Sequence, residues 1–291
     1  MSIYRSAAGR RALERCYDTA VDRLEVDVDE RIVETRYGPT HVLLAGPESA
    51  QPIFVFHGGN ATNPMTLAWY TALADEYRLV APDTVGHPGK SAETRLDPGG
   101  AEYGKWVVDV MDAFDVESAP MIGTSYGAGI IVRTAAFSPN RIDSAALVVP
   151  AGFGTGPVRS LLRIGVQSVL YRYLPREWVL DRVVAALVTD ADSNDLSRAT
   201  IAASLRYVEL ERKLPDSTAA ELEDFTAPVA LYLGEEDPFF PPEAIAPRAR
   251  ERIRSLSRLE TLPGERHIFS TDGQADVTAR IREFLEECKR P

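Results

Sequence analysis

Lysine is almost missing from this 291-residue chain: it occurs only at Lys90, Lys105, Lys213 and Lys289, and the other basic residues are arginines. Codon bias and adaptation to salt account for that scarcity equally well. Cysteine is rarer still. Cys16 and Cys288 stand near opposite ends of the chain and encode no disulfide framework. They would pair only if the terminal helices touched, so two free thiols in a reducing compartment are expected. No apolar run is long enough to span a bilayer, and Met1 to Arg5 carries no stretch of signal-peptide type; the expected location is cytoplasmic. Net positive charge is also lacking. Thirty-two Lys and Arg against 43 Asp and Glu leave −11, which argues against nucleic acid or an anionic membrane as partner, because phosphate binding needs a basic face. There is no internal repeat and no low-complexity tract. What remains, 45% apolar and 26% charged residues, is the composition of a soluble globular protein, at a length that suits a single α/β domain with an insertion.

Periodicity divides the chain into alternating strands and helices. Residues 2–20 read as a helix, with Ala7, Ala8, Leu13, Cys16 and Tyr17 on one face. Arg31 to Tyr37 and Thr40 to Ala45 read as a hairpin turning at Gly38-Pro39. The continuous apolar run 52–56 fits a strand buried on both faces; 119–122, 143–149 and 227–233 read as further buried strands, 78–82 as another strand, and Arg258 to Leu262 as the last. Helices are expected at 64–76, 101–114, 128–137, 242–253 and 276–287. Residues 152–226 break the rhythm. They are helical throughout, with leucine, isoleucine and valine at helical spacing, and read as a cap inserted into a core of 1–151 and 227–291. Such a cap would enclose an apolar cavity and exclude water.

Four turns after strands carry possible chemistry. Gly123-Thr124-Ser125-Tyr126-Gly127 matches G-x-S-x-G between a strand and a helix, where the flanking glycines let a strained, crowded turn close and present the serine. His57-Gly58-Gly59-Asn60 follows another strand, and its small residues let backbone amides face a cavity as half of an oxyanion hole. Gly234-Glu235-Glu236-Asp237-Pro238 offers three carboxylates, of which Asp237 closes the turn. His267 follows the last strand, whereas His41 lies in an edge hairpin and His57 and His87 lie in early loops; His57 reads as a structural residue that orients its loop. Gly89-Lys90-Ser91 resembles the end of a phosphate loop, but the required earlier glycine is Thr84 and Pro88 removes an amide. Asp83 beside it reads as an acceptor that holds loops together. Gly152, Gly154 and Gly156 lack the dinucleotide spacing and read as a hinge.

The order Ser125, Asp237, His267, with His57-Gly58-Gly59 and Pro82-Asp83-x-x-Gly86, resembles the serine α/β-hydrolase superfamily from Arg31 onward, in its single-domain branch with a helical cap. The resemblance implies an α/β fold with an eight-stranded, mostly parallel sheet. It implies Ser125 as nucleophile, His267 as acid and base, Asp237 orienting His267, and the amides of Gly59 and Tyr126 as oxyanion hole, with Gly58 and Asn60 as substrate-binding neighbours. A serine at the elbow excludes the members that use aspartate there. Pro88 departs from the G-x-G-x-S of many relatives, and the N-terminal helix lies outside the usual core. The implied activity is hydrolysis of carboxylic esters with small to medium apolar acyl groups, without cofactor or metal. The alternatives are carbon–carbon bond hydrolysis, perhydrolysis or cyanohydrin cleavage on the same triad, and a signal-binding protein with a slow or vestigial triad. The expected partner is a small apolar ester-like molecule, and a homodimer is left open.

Overall fold

The longest apolar runs of the chain become the middle of one sheet. The structure, a computed structural model that describes residues 2–191 and 195–289, has strands β1 (Val28–Thr35), β2 (Gly38–Ala45), β3 (Pro52–Phe56), β4 (Arg78–Pro82), β5 (Ala119–Thr124), β6 (Ile142–Val148), β7 (Val229–Gly234) and β8 (Leu256–Leu262). They lie side by side in the order β1-β2-β4-β3-β5-β6-β7-β8. β2 is antiparallel to β1 and β4, and every other pairing is parallel. The expected eight-stranded, mostly parallel sheet is therefore what the chain builds. β5 and β7 are buried along their whole length, while β1 and β8 at the edges are mostly exposed or half-buried; strands covered on both faces need no polar side.

Two-residue periodicity splits the sheet's side chains between two cores. Phe54, Phe56, Met121 and Leu231 face α3 (Glu102–Asp112), α4 (Tyr126–Phe137) and α8 (Pro242–Arg252), which add Trp106, Ile131 and Ile245. Ile53, Val55, Ile122 and Tyr232 face the other way, against Tyr17 of α1 (Ala7–Asp22), Leu67 of α2 (Asn63–Tyr70) and Phe284 of α9 (Thr271–Lys289). The first helix thus starts later than residue 2, at Ala7, because Ser6 caps it by accepting the Gly9 N–H at 3.1 Å. It is also no appendage, since Tyr17 is 1% exposed in the core. The hairpin turn falls at Arg36-Tyr37, two residues before the expected Gly38-Pro39, and Gly38 opens β2 at φ +108°.

Between β6 and β7 stand α5 (Val158–Tyr173), α6 (Glu177–Leu187) and α7 (Asp195–Tyr207). Tyr171, Val179, Leu180 and Val184 give this layer its own small core. Residues after α7 also touch the main body, where Leu214, Leu222 and Phe225 join the core under α4. α1 packs on α7 so closely that a Cβ at Gly9 would sit 2.4 Å from the Tyr207 Cβ. Cys16 and Cys288 are unpaired.

Candidate active site

The site grows from the junction of β5 and α4. Ser125 has φ +54° and ψ −112°, in the left-handed half of backbone space where an L-residue is strained. Its N–H donates to the Val148 carbonyl at 2.8 Å, which ties the turn to β6. The two motif glycines are required by contact rather than by φ. A Cβ at Gly123 would lie 2.6 Å from the Ala128 backbone, and one at Gly127 would lie 2.1 Å from the Phe56 carbonyl oxygen. Strand and helix close on each other only because both side chains are missing.

Three loops from distant parts of the chain converge on the Ser125 hydroxyl. Ser125 Oγ and His267 Nε2 are 3.0 Å apart, and His267 Nδ1 lies 2.8 Å from Asp237 Oδ2. Asp237 is 2% exposed. Its other oxygen accepts the N–H groups of Phe239 and Phe240 at 2.8 and 3.1 Å, which fixes the carboxylate plane. An anionic Asp237 accepts from Nδ1–H and leaves the Nε2 lone pair for the serine proton. The neighbouring carboxylates are engaged elsewhere: Glu235 accepts the Gly264 N–H at 2.8 Å and Glu236 faces Arg266 at 3.4 Å. Of the three acids in this turn, only Asp237 meets the imidazole.

The turn after β3 lies over the serine. A Cβ on Gly58 would be 3.7 Å from the Ser125 Cβ, and one on Gly59 would be 3.1 Å from the Tyr126 Cβ. Tyr126 opens α4, so its N–H has no partner within the helix. His57 is wholly buried and locks this loop. Its Nδ1–H donates to the Gly58 carbonyl at 2.9 Å, and Nε2 accepts the Thr84 N–H at 2.9 Å. Burial pushes its pKa down and keeps it neutral, in keeping with the structural role read from its position. Asn60, expected as a substrate-binding neighbour, also holds the inserted segment. It sits at φ +56°, its carbonyl accepts from Ser204 Oγ at 2.6 Å, and its Oδ1 accepts the Glu211 N–H at 3.1 Å. It braces the loop against the inserted segment.

Asp83 does hold loops, as expected. It accepts from Tyr17 Oη at 2.9 Å and from the Lys90 N–H at 2.7 Å, and lies 3.3 Å from His41 Nδ1. Residues that sequence reasoning missed lie around His267. Thr189 Oγ1 donates to Glu265 at 2.7 Å and accepts the Arg266 N–H at 2.9 Å; the Ile268 N–H donates to the Leu187 carbonyl at 2.8 Å. The end of α6 therefore grips both neighbours of His267. Phe239 and Phe240 set their rings 5.0 and 5.6 Å from the imidazole centroid and form an apolar rim; the Pro-Phe-Phe following Asp237 was the available signal. Ser125 is half-buried and the His267 side chain is 13% exposed. An apolar groove of about 460 Å³ lies on the outer side of α5, lined by Val158, Leu161, Leu162, Gly165, Val166 and Val169.

The family model described as "Alpha/beta hydrolase family" matches residues 53–281. Carboxylesterase YbfK of Bacillus subtilis is 24% identical over 283 residues, covering 93% of this chain and 92% of that protein. A second Bacillus subtilis protein, named an uncharacterized carboxylesterase, is 26% identical over 87% of this chain and 85% of its own length. The crystal structure of naproxen esterase (carboxylesterase NP) from Bacillus subtilis superposes with a TM-score of 0.83 at 22% identity, over 97% of this chain and 99% of that one.

Proposed function

We propose a carboxylic-ester hydrolase: the chain belongs to the alpha/beta hydrolase family, and Ser125 is its nucleophile. The observation that carries the reading is the continuous hydrogen-bond chain from Ser125 Oγ through His267 to buried Asp237, at 3.0 and 2.8 Å, starting from a residue held at φ +54°. The full-length likeness to proteins named carboxylesterases supports an ester as the substrate.

In this reading His267 Nε2 takes the Ser125 proton as Oγ attacks the ester carbonyl carbon. The carbonyl oxygen becomes an oxyanion and accepts from the N–H groups of Gly59 and Tyr126, two residues that lie in close contact. Collapse of the tetrahedral adduct breaks the bond to the alcohol oxygen, and His267 returns its proton to that leaving group. Water, deprotonated by His267, then cleaves the acyl-serine and releases the carboxylic acid. Asp237 holds the tautomer and balances the transient imidazolium charge. Residues 1–151 and 227–291 act as the catalytic core and 152–226 as the cap, whose bonds to Asn60 and to the His267 loop support that division. The aromatic rim of Phe239 and Phe240 supports small to medium apolar acyl groups. Two unpaired cysteines accord with a cytoplasmic enzyme.

The test is a series of p-nitrophenyl esters of increasing acyl length with wild type and Ser125→Ala. Wild type is expected to turn over the short and medium esters, and the variant to lose about 10⁴ to 10⁶ in kcat while staying folded. Ordinary esterase activity in purified Ser125→Ala would refute the assignment.

A further inference from the structure

The exposed large apolar side chains are not spread over the surface. Among the described residues, eight of eleven lie between Val158 and Trp178. On α5 they form one stripe: Val158, Leu162, Val166, Val169 and Tyr173 recur every three or four positions and are 53 to 77% exposed, while Ile164 and Tyr171 on the opposite side are buried. This is a helix with two apolar faces, and only one of them meets protein.

Charge on the same element departs from the chain average. From Ser144 to Arg176 there is no Asp or Glu, and there are four arginines, at 159, 163, 172 and 176, in a chain whose net charge is −11. Arg159, Arg163 and Arg176 are exposed and take part in no ion pair among the described residues. Arg198 nearby, by contrast, is held by Glu177 and Asp181. Arg159 and Arg163 follow Val158 and Leu162 by one position each and so border the stripe. Arg182 stacks on Trp178, half exposed at its far end, at 4.9 Å from the ring centroid. Fields from exposed charges decay over about 8 Å at physiological salt, so a local cationic strip is felt as cationic despite an acidic whole.

We propose that the outer face of α5 is a docking surface for an anionic lipid–water interface. The helix lies flat, with the stripe in the acyl boundary and the arginines at headgroup level, while their aliphatic stems cover the stripe's margin. Charge decides between occupants. Pairing with a second copy would bring arginine strips against each other without an acid between them, whereas an anionic surface neutralises them. α5 has 16 residues, and no described helix is long and apolar enough to cross a membrane, so contact is peripheral. The stripe begins beside the site: the Gly156 N–H donates to the Phe239 carbonyl at 2.7 Å, and the Phe239 ring borders His267. Docking would therefore open the catalytic mouth toward ester dissolved in the lipid. Docking itself does not depend on the chemistry assigned to Ser125, so the two readings fail separately.

Co-sedimentation of the Ser125→Ala protein with vesicles tests this without consuming any ester. Equal mixtures of phosphatidylglycerol and phosphatidylcholine are compared with phosphatidylcholine alone. Binding is expected on the anionic vesicles, reduced by salt. It should weaken roughly tenfold or more in Arg159→Gln/Arg163→Gln and be lost in Leu162→Ser/Val166→Ser, while both variants made in the wild-type background hydrolyse a soluble short-chain ester at the wild-type rate. No sedimentation with anionic vesicles at low salt would overturn the proposal, as would binding unchanged in both variants. A dimer seen by light scattering that dissociates in Leu162→Ser/Val166→Ser would overturn it in favour of contact between copies.

Discussion

Two buried aspartates each hold a histidine, and the two pairs do different work. Asp83 follows β4 and Asp237 follows β7, both at the carboxyl edge of the sheet and both at most 2% exposed. Asp237 meets His267 at 2.8 Å, Asp83 meets His41 at 3.3 Å. The second ring nitrogen separates them. His267 points Nε2 at a serine hydroxyl, whereas His41 points Nε2 at the Glu30 carboxylate at 2.8 Å. Burial alone would lower the pKa of His41, but Asp83 and Glu30 outweigh it and raise it. Such an imidazole favours its charged form and has no proton to accept. The same pair of residue types thus gives a candidate base in one place and, in the other, a structural imidazole held between two carboxylates.

The largest expected effect separates the two aspartates in function. Asp237→Asn should lower kcat by about 10⁴ through the wrong tautomer, with little loss of stability; a variant that keeps most of its rate would erase the distinction. Asp83→Asn should do the reverse. It removes the anion from beside Tyr17, Lys90 and His41, at a cost of about 3–5 kcal/mol in urea or thermal unfolding, while the folded fraction keeps its rate.

A smaller effect is expected at Thr189, which acts on His267 only through its neighbours. Thr189→Val leaves the Arg266 N–H and a Glu265 oxygen without that partner, costing about 1–3 kcal/mol. It should lower kcat without moving the pH profile, and Thr189→Ser should restore it. The smallest effect is linked to pH. Because the folded pKa of His41 is raised, its charged form contributes stability fully below the unfolded value of about 6.5, and that contribution is lost as pH rises through the folded value. Unfolding midpoints of wild type and His41→Asn should therefore converge with rising pH; a constant gap would count against a charged His41.

Sequence reading reached the sheet and the three residues that meet at Ser125 because their signals are local. Pro52–Phe56 is apolar without interruption since both faces are buried, Ser125 and Asp237 each close a turn after such a run, and His267 follows the last strand. It did not reach the brace around His267, because Thr189 and Glu265 are 76 positions apart and neither motif nor period links them. The cap showed its helices but not which side of α5 faces outward: periodicity defines a stripe, and only packing says whether protein covers it.

The central claim is that Ser125 is made nucleophilic by His267 and Asp237. It is tested most directly by treating the protein with an alkyl fluorophosphonate and mapping the adduct by mass spectrometry, beside Ser125→Ala and Asp237→Asn. The account predicts a single adduct on Ser125, formed rapidly in wild type, much more slowly in Asp237→Asn and not at all in Ser125→Ala. Labelling at another residue, or continued ester hydrolysis by protein in which Ser125 is fully blocked, would contradict it.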